Sequence, residues 1–522
     1  MQVLKELVQI VYANSSSLTP AIFENDNGKL IPFYEQIADN QLHTDEEAAY
    51  LFYNDSKDSA GYKKLRGTLK NRLIDAVLLL DLDQFANTQR QKAQCRCYKD
   101  WAAVKILMSK SASTAGIALC QRLLKRAKKY EFTELVMETA SLLRVYYGTI
   151  GGELRKFEHY NDLFKQYRSI WNQENLAEEL YTELVVRYVK SKATQPEIYA
   201  QAAHYYEKIE APIEKYNTYR LHLSGKLIQM MIHTSTNNYA EASRLCDKII
   251  HFFESKEYVA ATPLQVFWYQ KIVCCIQLRQ FEEGKNAIKN CLAYQEEGSY
   301  NWFKMQQMHI LLSFHTRSYQ QAYEHFAMLI NHPQYANMPE YFLEVIRIYG
   351  AHLYYLSAIG KIELPKKDRY FHNFRIAKFV NDTPIFSKDK RGMHIPILII
   401  QILLLTLDRK YGSVIDKMDA IEKYCSRYLR KDDTFRSNCF IKMLLQMPIS
   451  NFHRISVERK TKVFVDRLLE MPIELAQQTH DVELIPYEDL WEFALSSLQN
   501  EFYSPRVRAA STTKKEASVS RI

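Results

Sequence analysis

The chain has 522 residues, with 69 Lys and Arg against 60 Asp and Glu, and only 14 Gly and 14 Pro. That length exceeds one ordinary core, so several domains or an elongated stack must form, and the scarcity of Gly and Pro beside plentiful Leu, Lys, Glu, Gln and Tyr leaves an all-helical composition. The net charge of +9 would suit a nucleic-acid partner, yet five cations of 503–522 face Glu516 alone, so nearly half the excess lies in that tail and the body is mildly basic.

Residues 1–14 alternate apolar and charged positions, and Lys5 and Glu6 interrupt any signal-peptide core. Thr44-Asp-Glu-Glu47 reads as a capping box opening a short helix through Tyr53. After a turn at 54–58, Tyr62, Leu65, Leu69, Leu73, Ala76 and Leu80 share one face of a long helix, beside a basic ridge of Lys63, Arg66 and Lys70. A short helix, a turn and a basic amphipathic helix are the parts of a helix-turn-helix reader, which makes the ridge a candidate nucleic-acid contact. The segment resembles the end of the winged-helix domains that bacterial transcriptional activators carry ahead of tetratricopeptide repeats. No strands for a wing are evident, and Asp75, Asp81 and Asp83 would oppose phosphate. The competing reading is a capping or docking role for a helical stack.

From Tyr98 to Lys208 the helices come in pairs with short connections, a pattern that packs sequence neighbours antiparallel. A clearer repeat follows. Tyr239-x-x-Ala242-x-x-x-Cys246, Phe281-x-x-Gly284-x-x-x-Ile288 and Tyr319-x-x-Ala322-x-x-x-Phe326 each place an aromatic, a small residue and an apolar residue on one helical stripe. The copies start 42 and 38 residues apart, the period of a helix pair that buries its apolar face only by stacking on neighbours.

These copies resemble the second helix of the tetratricopeptide repeat; a consensus first helix is missing, and Trp268 is the nearest match to it. The resemblance implies a scaffold whose first helices line a concave surface. In the central copies these are 263–279 and 300–314, and Gln270, Lys271, Lys304 and Gln307 become candidate contacts for an acidic or amphipathic segment of a partner protein.

Residues 361–393 interrupt the order with five aromatics among nine basic and four acidic residues. Two readings stand: aromatics and cations that hold a nucleic acid or partner through Arg369, Arg375 and Lys378, or aromatics that pack back onto the scaffold. The apolar run 395–407 is 13 residues long, short of the ~20 a bilayer needs, so a membrane partner is not expected. Tyr411, Val414, Met418 and Ile421 form a fourth copy, three further helices end near 498, and the basic tail 503–522 is expected to be disordered.

Catalysis requires groups at defined spacing, and no phosphate loop, nucleophile elbow, His-Glu-x-x-His pair or calcium loop occurs. Cys95-Arg-Cys97 has no second pair for zinc, and His309 and His315 read as packing residues. Cysteines 246, 274, 275 and 291 lie in apolar stripes as reduced thiols, which points to the cytoplasm. The expectation is an all-α superhelical stack (an α-solenoid) of antiparallel hairpins, tetratricopeptide-like in its centre, without catalytic residues, cofactor or metal. Its parts are an N-terminal helical region 1–97, a repeat solenoid 98–360, the insert 361–393, C-terminal repeats 394–502 and the tail 503–522. It serves as a protein-binding scaffold or, alternatively, as a transcription-type regulator.

Overall fold

A chain poor in helix breakers and rich in 3.6-residue stripes has one economical way to satisfy its backbone, and the computed structural model takes it. Residues 1–12, 23, 28–80, 88–190, 195–383, 394–418, 435–473 and 483–503 are described below. They contain helices and no strand beyond a single backbone bridge between His453 and Gln499. Helices adjacent in sequence pack against each other. The chain divides into two compact units, residues 1–179 with 211–222 and 255–260, and residues 180–210 with 223–254 and 261–522.

In the first unit, α1 (Gln2–Tyr12), α2 (Leu30–Ala38), α3 (Asp45–Tyr53) and α4 (Ala60–Leu79) enclose one apolar cluster centred on Phe33, Leu69 and Leu73. The capping box is present: the Thr44 hydroxyl accepts from the Glu47 amide at 3.2 Å, and the Glu47 carboxylate accepts from the amides of His43 and Thr44. All six expected core residues of α4 and its end, from Tyr62 to Leu80, are buried. Asp45 in the first turn of α3 accepts from the Tyr62 hydroxyl at 2.6 Å and pairs with Arg66 at 3.1 Å.

Helices α5 (Gln89–Ser109), α6 (Ser113–Lys129) and α7 (Thr133–Thr149) pack successively around Cys97, Cys120, Leu123 and Val136. The helices α8 (Leu154–Lys190), α9 (Gln195–Tyr216) and α10 (Tyr219–Thr234) contribute residues to both units. Glu131 is one of the residues that tie 211–222 and 255–260 into the first unit. Its carboxylate accepts the Tyr219 amide at 2.7 Å and pairs with Lys256 at 2.8 Å. Beside it the Arg90 guanidinium lies over the rings of Tyr219 and Phe132, 3.9 and 4.8 Å from their centroids, a cation–π arrangement that replaces part of its lost hydration.

The second unit holds the repeat. Its hairpins are α12 (Ala261–Gln277) with α13 (Phe281–Leu292) and α14 (Tyr300–His315) with α15 (Tyr319–Ile330), preceded by α11 (Tyr239–Glu254) and followed by α16 (Glu340–Ala358). Each small stripe residue is buried where helices cross: a Cβ added at Gly284 would come 2.7 Å from the Leu312 side chain of α14 and 3.2 Å from Cys275 of α12. Helix α14 is buried on every side, from Trp302 to His315 with Lys304 alone partly open. The apolar helix α19 (His394–Leu407) is similarly enclosed from Ile395 to Thr406. The core is closed by α20 (Phe435–Ile449), α21 (Arg454–Glu470) and α22 (Tyr487–Ser496).

Two stability tests follow from this packing. Ala322 is fully enclosed between apolar neighbours, so Ala322→Leu should overpack the crossing and lower the unfolding free energy by about 1–3 kcal/mol, measured by urea denaturation. Glu174 of α8 is buried in the first unit; one carboxylate oxygen has no hydrogen bond and lies 3.6 Å from Arg220, while Thr133 and Thr218 donate to the other at 3.0 and 2.6 Å. Burial raises its carboxyl above the ordinary range, against the lowering effect of those bonds and of Arg220. An acid with a raised pKa supports the fold when protonated and loses that support as pH rises through its folded value. Glu174→Gln should therefore melt above the parent protein at neutral pH, and the gap should close as the solution is acidified.

Candidate partner-binding surface

The four repeat copies share a turn before they share a surface. The last residue but one before each aromatic, namely Asn237, Arg279, Arg317 and Arg409, has a positive φ of 53–60°. The next amide then bonds back across the helix end, Asn238 to His233, Gln280 to Cys275, Ser318 to Ser313 and Lys410 to Leu405, at 2.8–2.9 Å. This double-bonded left-handed cap satisfies carbonyls that the ended helix would orphan, and it reverses the chain into the next helix. Glycine is the usual occupant; an arginine there carries a cost of roughly 1–2 kcal/mol. Two of the arginines recover part of it through long-range ion pairs. Arg317 donates to Asp489 (Nε at 3.0 Å) and Arg279 lies 3.8 Å from Glu488, both acids being in the first turn of α22.

Glu488 also pairs with Arg436, whose guanidinium is wholly buried and forks onto Glu483 at 2.9 and 2.7 Å. Desolvation opposes the charge on Arg436, but Glu483 and Glu488 outweigh it and hold the guanidinium protonated. The Tyr487 amide adds a further donor to Glu483, whose carboxyl burial raises above the ordinary range against the lowering effect of Arg436 and that amide.

Among the candidate groove residues, Lys271 pairs with Asp247 of the neighbouring helix at 2.7 Å and is 13% exposed. Gln307 is buried; its amide donates to the Tyr349 hydroxyl at 3.2 Å and accepts from Lys304 at 2.8 Å. Gln270 is half-buried. These four side chains sit within or beside helix contacts.

The insert presents a different face. Its described part, 361–383, carries two short helices, α17 (Arg369–His372) and α18 (Ile376–Asp382). Four of its aromatics turn inward: Tyr370 and Phe371 lie 5.1 and 5.8 Å from Phe326, Phe374 stacks on Tyr354 at 4.4 Å, and Phe379 is buried. Of the two readings of this segment, the aromatics follow the second and pack onto the scaffold; Phe386 lies outside the described residues. Arg369, Arg375 and Lys378 are all exposed, and Arg375 braces the segment by donating to the His372 and Phe374 carbonyls. On α4, Lys63 pairs with Asp58 at 2.9 Å, Arg66 with Asp45, and Lys70 is exposed.

No cluster of three metal-ligating side chains is found among the described residues. His309 and His325 stack at 3.5 Å, with Gln306 on His325 Nδ1 at 3.0 Å. Burial, then the charges of His325 and Lys285, push His309 down to about 3, and burial with Lys285 lowers His325. A base with a depressed pKa supports the fold above its unfolded value and loses that support as pH falls. Thermal melts should fall as pH drops through the ordinary histidine range, and His309→Leu should flatten that dependence.

No helix among the described residues is long and apolar enough to cross a membrane. No family model matches the chain, and neither a curated protein nor a solved structure matches it.

Proposed function

We infer that the chain is a non-catalytic scaffold: a superhelical stack of antiparallel hairpins, tetratricopeptide-like in its centre, that binds a segment of a partner protein in the cytoplasm. The observation that carries this reading is the recurrence of one turn. The same left-handed cap, the same aromatic two residues later and the same buried small or apolar residue three beyond it occur at 237–242, 279–284, 317–322 and 409–414. Repeated hairpins of this kind stack by their shared apolar faces, and the residues left over on the stack are free to meet a ligand. Buried thiols in that stack suit a reducing compartment.

A second reading, a nucleic-acid-binding regulator, draws on the exposed cations of α4 and of the insert. The two separate on salt and nuclease. With the full chain as bait, a protein retained after nuclease treatment supports the scaffold. Capture that disappears with nuclease, together with a steep loss of affinity for DNA or RNA as salt rises and its weakening in Lys63→Glu/Lys70→Glu, establishes the alternative.

A further inference from the structure

Helix α16 contains a glycine where a helix prefers almost any other residue, and the reason lies in the insert. A Cβ at Gly350 would stand 2.6 Å from the Tyr370 hydroxyl oxygen and 2.9 Å from Phe326 Cζ. An interior helical glycine costs about 1 kcal/mol relative to alanine, so the gap that admits Tyr370 is maintained at a loss of local stability. Further contacts fix the segment beside it. Asp368 accepts from the Tyr323 hydroxyl at 2.6 Å and from the Phe371 amide at 2.8 Å, and Gln320 exchanges two hydrogen bonds with the Glu363 backbone at 3.3 and 3.0 Å. A slack connection would need none of these.

Held this way, the segment is two-faced. Its aromatics are spent on α15 and α16, and its outer side shows Lys366, Lys367, Arg369 and Lys378, all exposed and none in an ion pair among the described residues. Arg347 of α16, also exposed, lies close enough to Tyr370 to bear on its hydroxyl. Asp368, the acid within this row, is committed to Tyr323 and the Phe371 amide. Single-stranded nucleic acid is held by open aromatic faces between cations, and here those faces are covered. An acidic polypeptide needs cations alone.

The geometry points to the outer face of 361–383 as the docking surface for an acidic, Asp/Glu-rich segment of a partner protein. This rests on the scaffold reading and names its contact: Lys366, Lys367, Arg369 and Lys378 meet the carboxylates, while Tyr370 and Phe371 only hold the segment in place. Exposed pairs are individually weak, so affinity comes from several acting together and falls with salt.

The test uses the full chain and two labelled probes, a synthetic poly-Glu peptide and an oligo-dT strand, followed by fluorescence anisotropy at low and moderate salt. The peptide should bind, and Lys366→Glu/Arg369→Glu/Lys378→Glu should weaken it about tenfold or more. Arg122→Glu/Lys125→Glu, a reversal at exposed positions of α6, should leave it unchanged. Tyr370→Ala keeps every cation but removes the anchor, and should also weaken the peptide. No binding by the parent chain, equal binding by the triple variant, or equal loss in the α6 variant overturns the proposal. Binding of the strand in preference to the peptide, lost in the triple variant, overturns it in favour of nucleic acid. If the triple variant still captures the parent's nuclease-resistant partner, the scaffold stands and this docking surface falls; if the parent captures none, the scaffold reading itself falls.

Discussion

Every hairpin of the repeat depends on a helix being allowed to stop. Four carbonyls at each helix end lose their intrahelical partners, and inside a packed helical core water is not at hand to replace them. The left-handed residue at positions 237, 279, 317 and 409 supplies the backbone donors that close this deficit within two residues. The short turn then fixes where the next aromatic enters, and with it the stripe that carries Ala242, Gly284 or Ala322 into the crossing. Packing, burial of the thiols and the enclosure of α14 are downstream of that one backbone conformation.

Charge does a complementary task at long range. Glu131 reaches the Tyr219 amide and Lys256 in the first unit, and in the second unit Arg279, Arg317 and Arg436 meet three acids between 483 and 489. Apolar stripes are tolerant of sliding, since one leucine resembles another to its neighbour. A buried carboxylate that loses its guanidinium is left uncompensated, so such pairs penalise wrong registers far more than they reward the right one.

Much of the architecture was legible in the residues. The capping box at Thr44, the buried face from Tyr62 to Leu80, and the small positions of the three copies follow from periodicity and side-chain chemistry that act within one helix. What lay beyond reach depended on contacts across helices. Gln307 looks like a surface residue by type, and its burial against Tyr349 requires knowing which helix lies 42 residues on. Lys271 likewise gains Asp247 only once α11 and α12 are paired. The arginine turns carried a faint signal, a polar residue two places before each aromatic, but glycine is the residue that ordinarily marks a left-handed cap, and none stands there. In the insert, composition alone could not divide aromatics from cations; Gly350 was the clue, since an unexplained glycine inside a helix asks what comes close to it.

The separation between Arg317 and Asp489 is 172 residues, while each hairpin turn closes over six. Loop closure over short separations is cheap and fast, so the turns and their hairpins are formed while distant pairings are still unmade. During synthesis the central hairpins leave the ribosome well before α22 exists. The consequence is an order of dependence: the turns need only their own neighbouring residues, whereas the ion pairs of Arg279 and Arg317 both require α22 and are gained together with it.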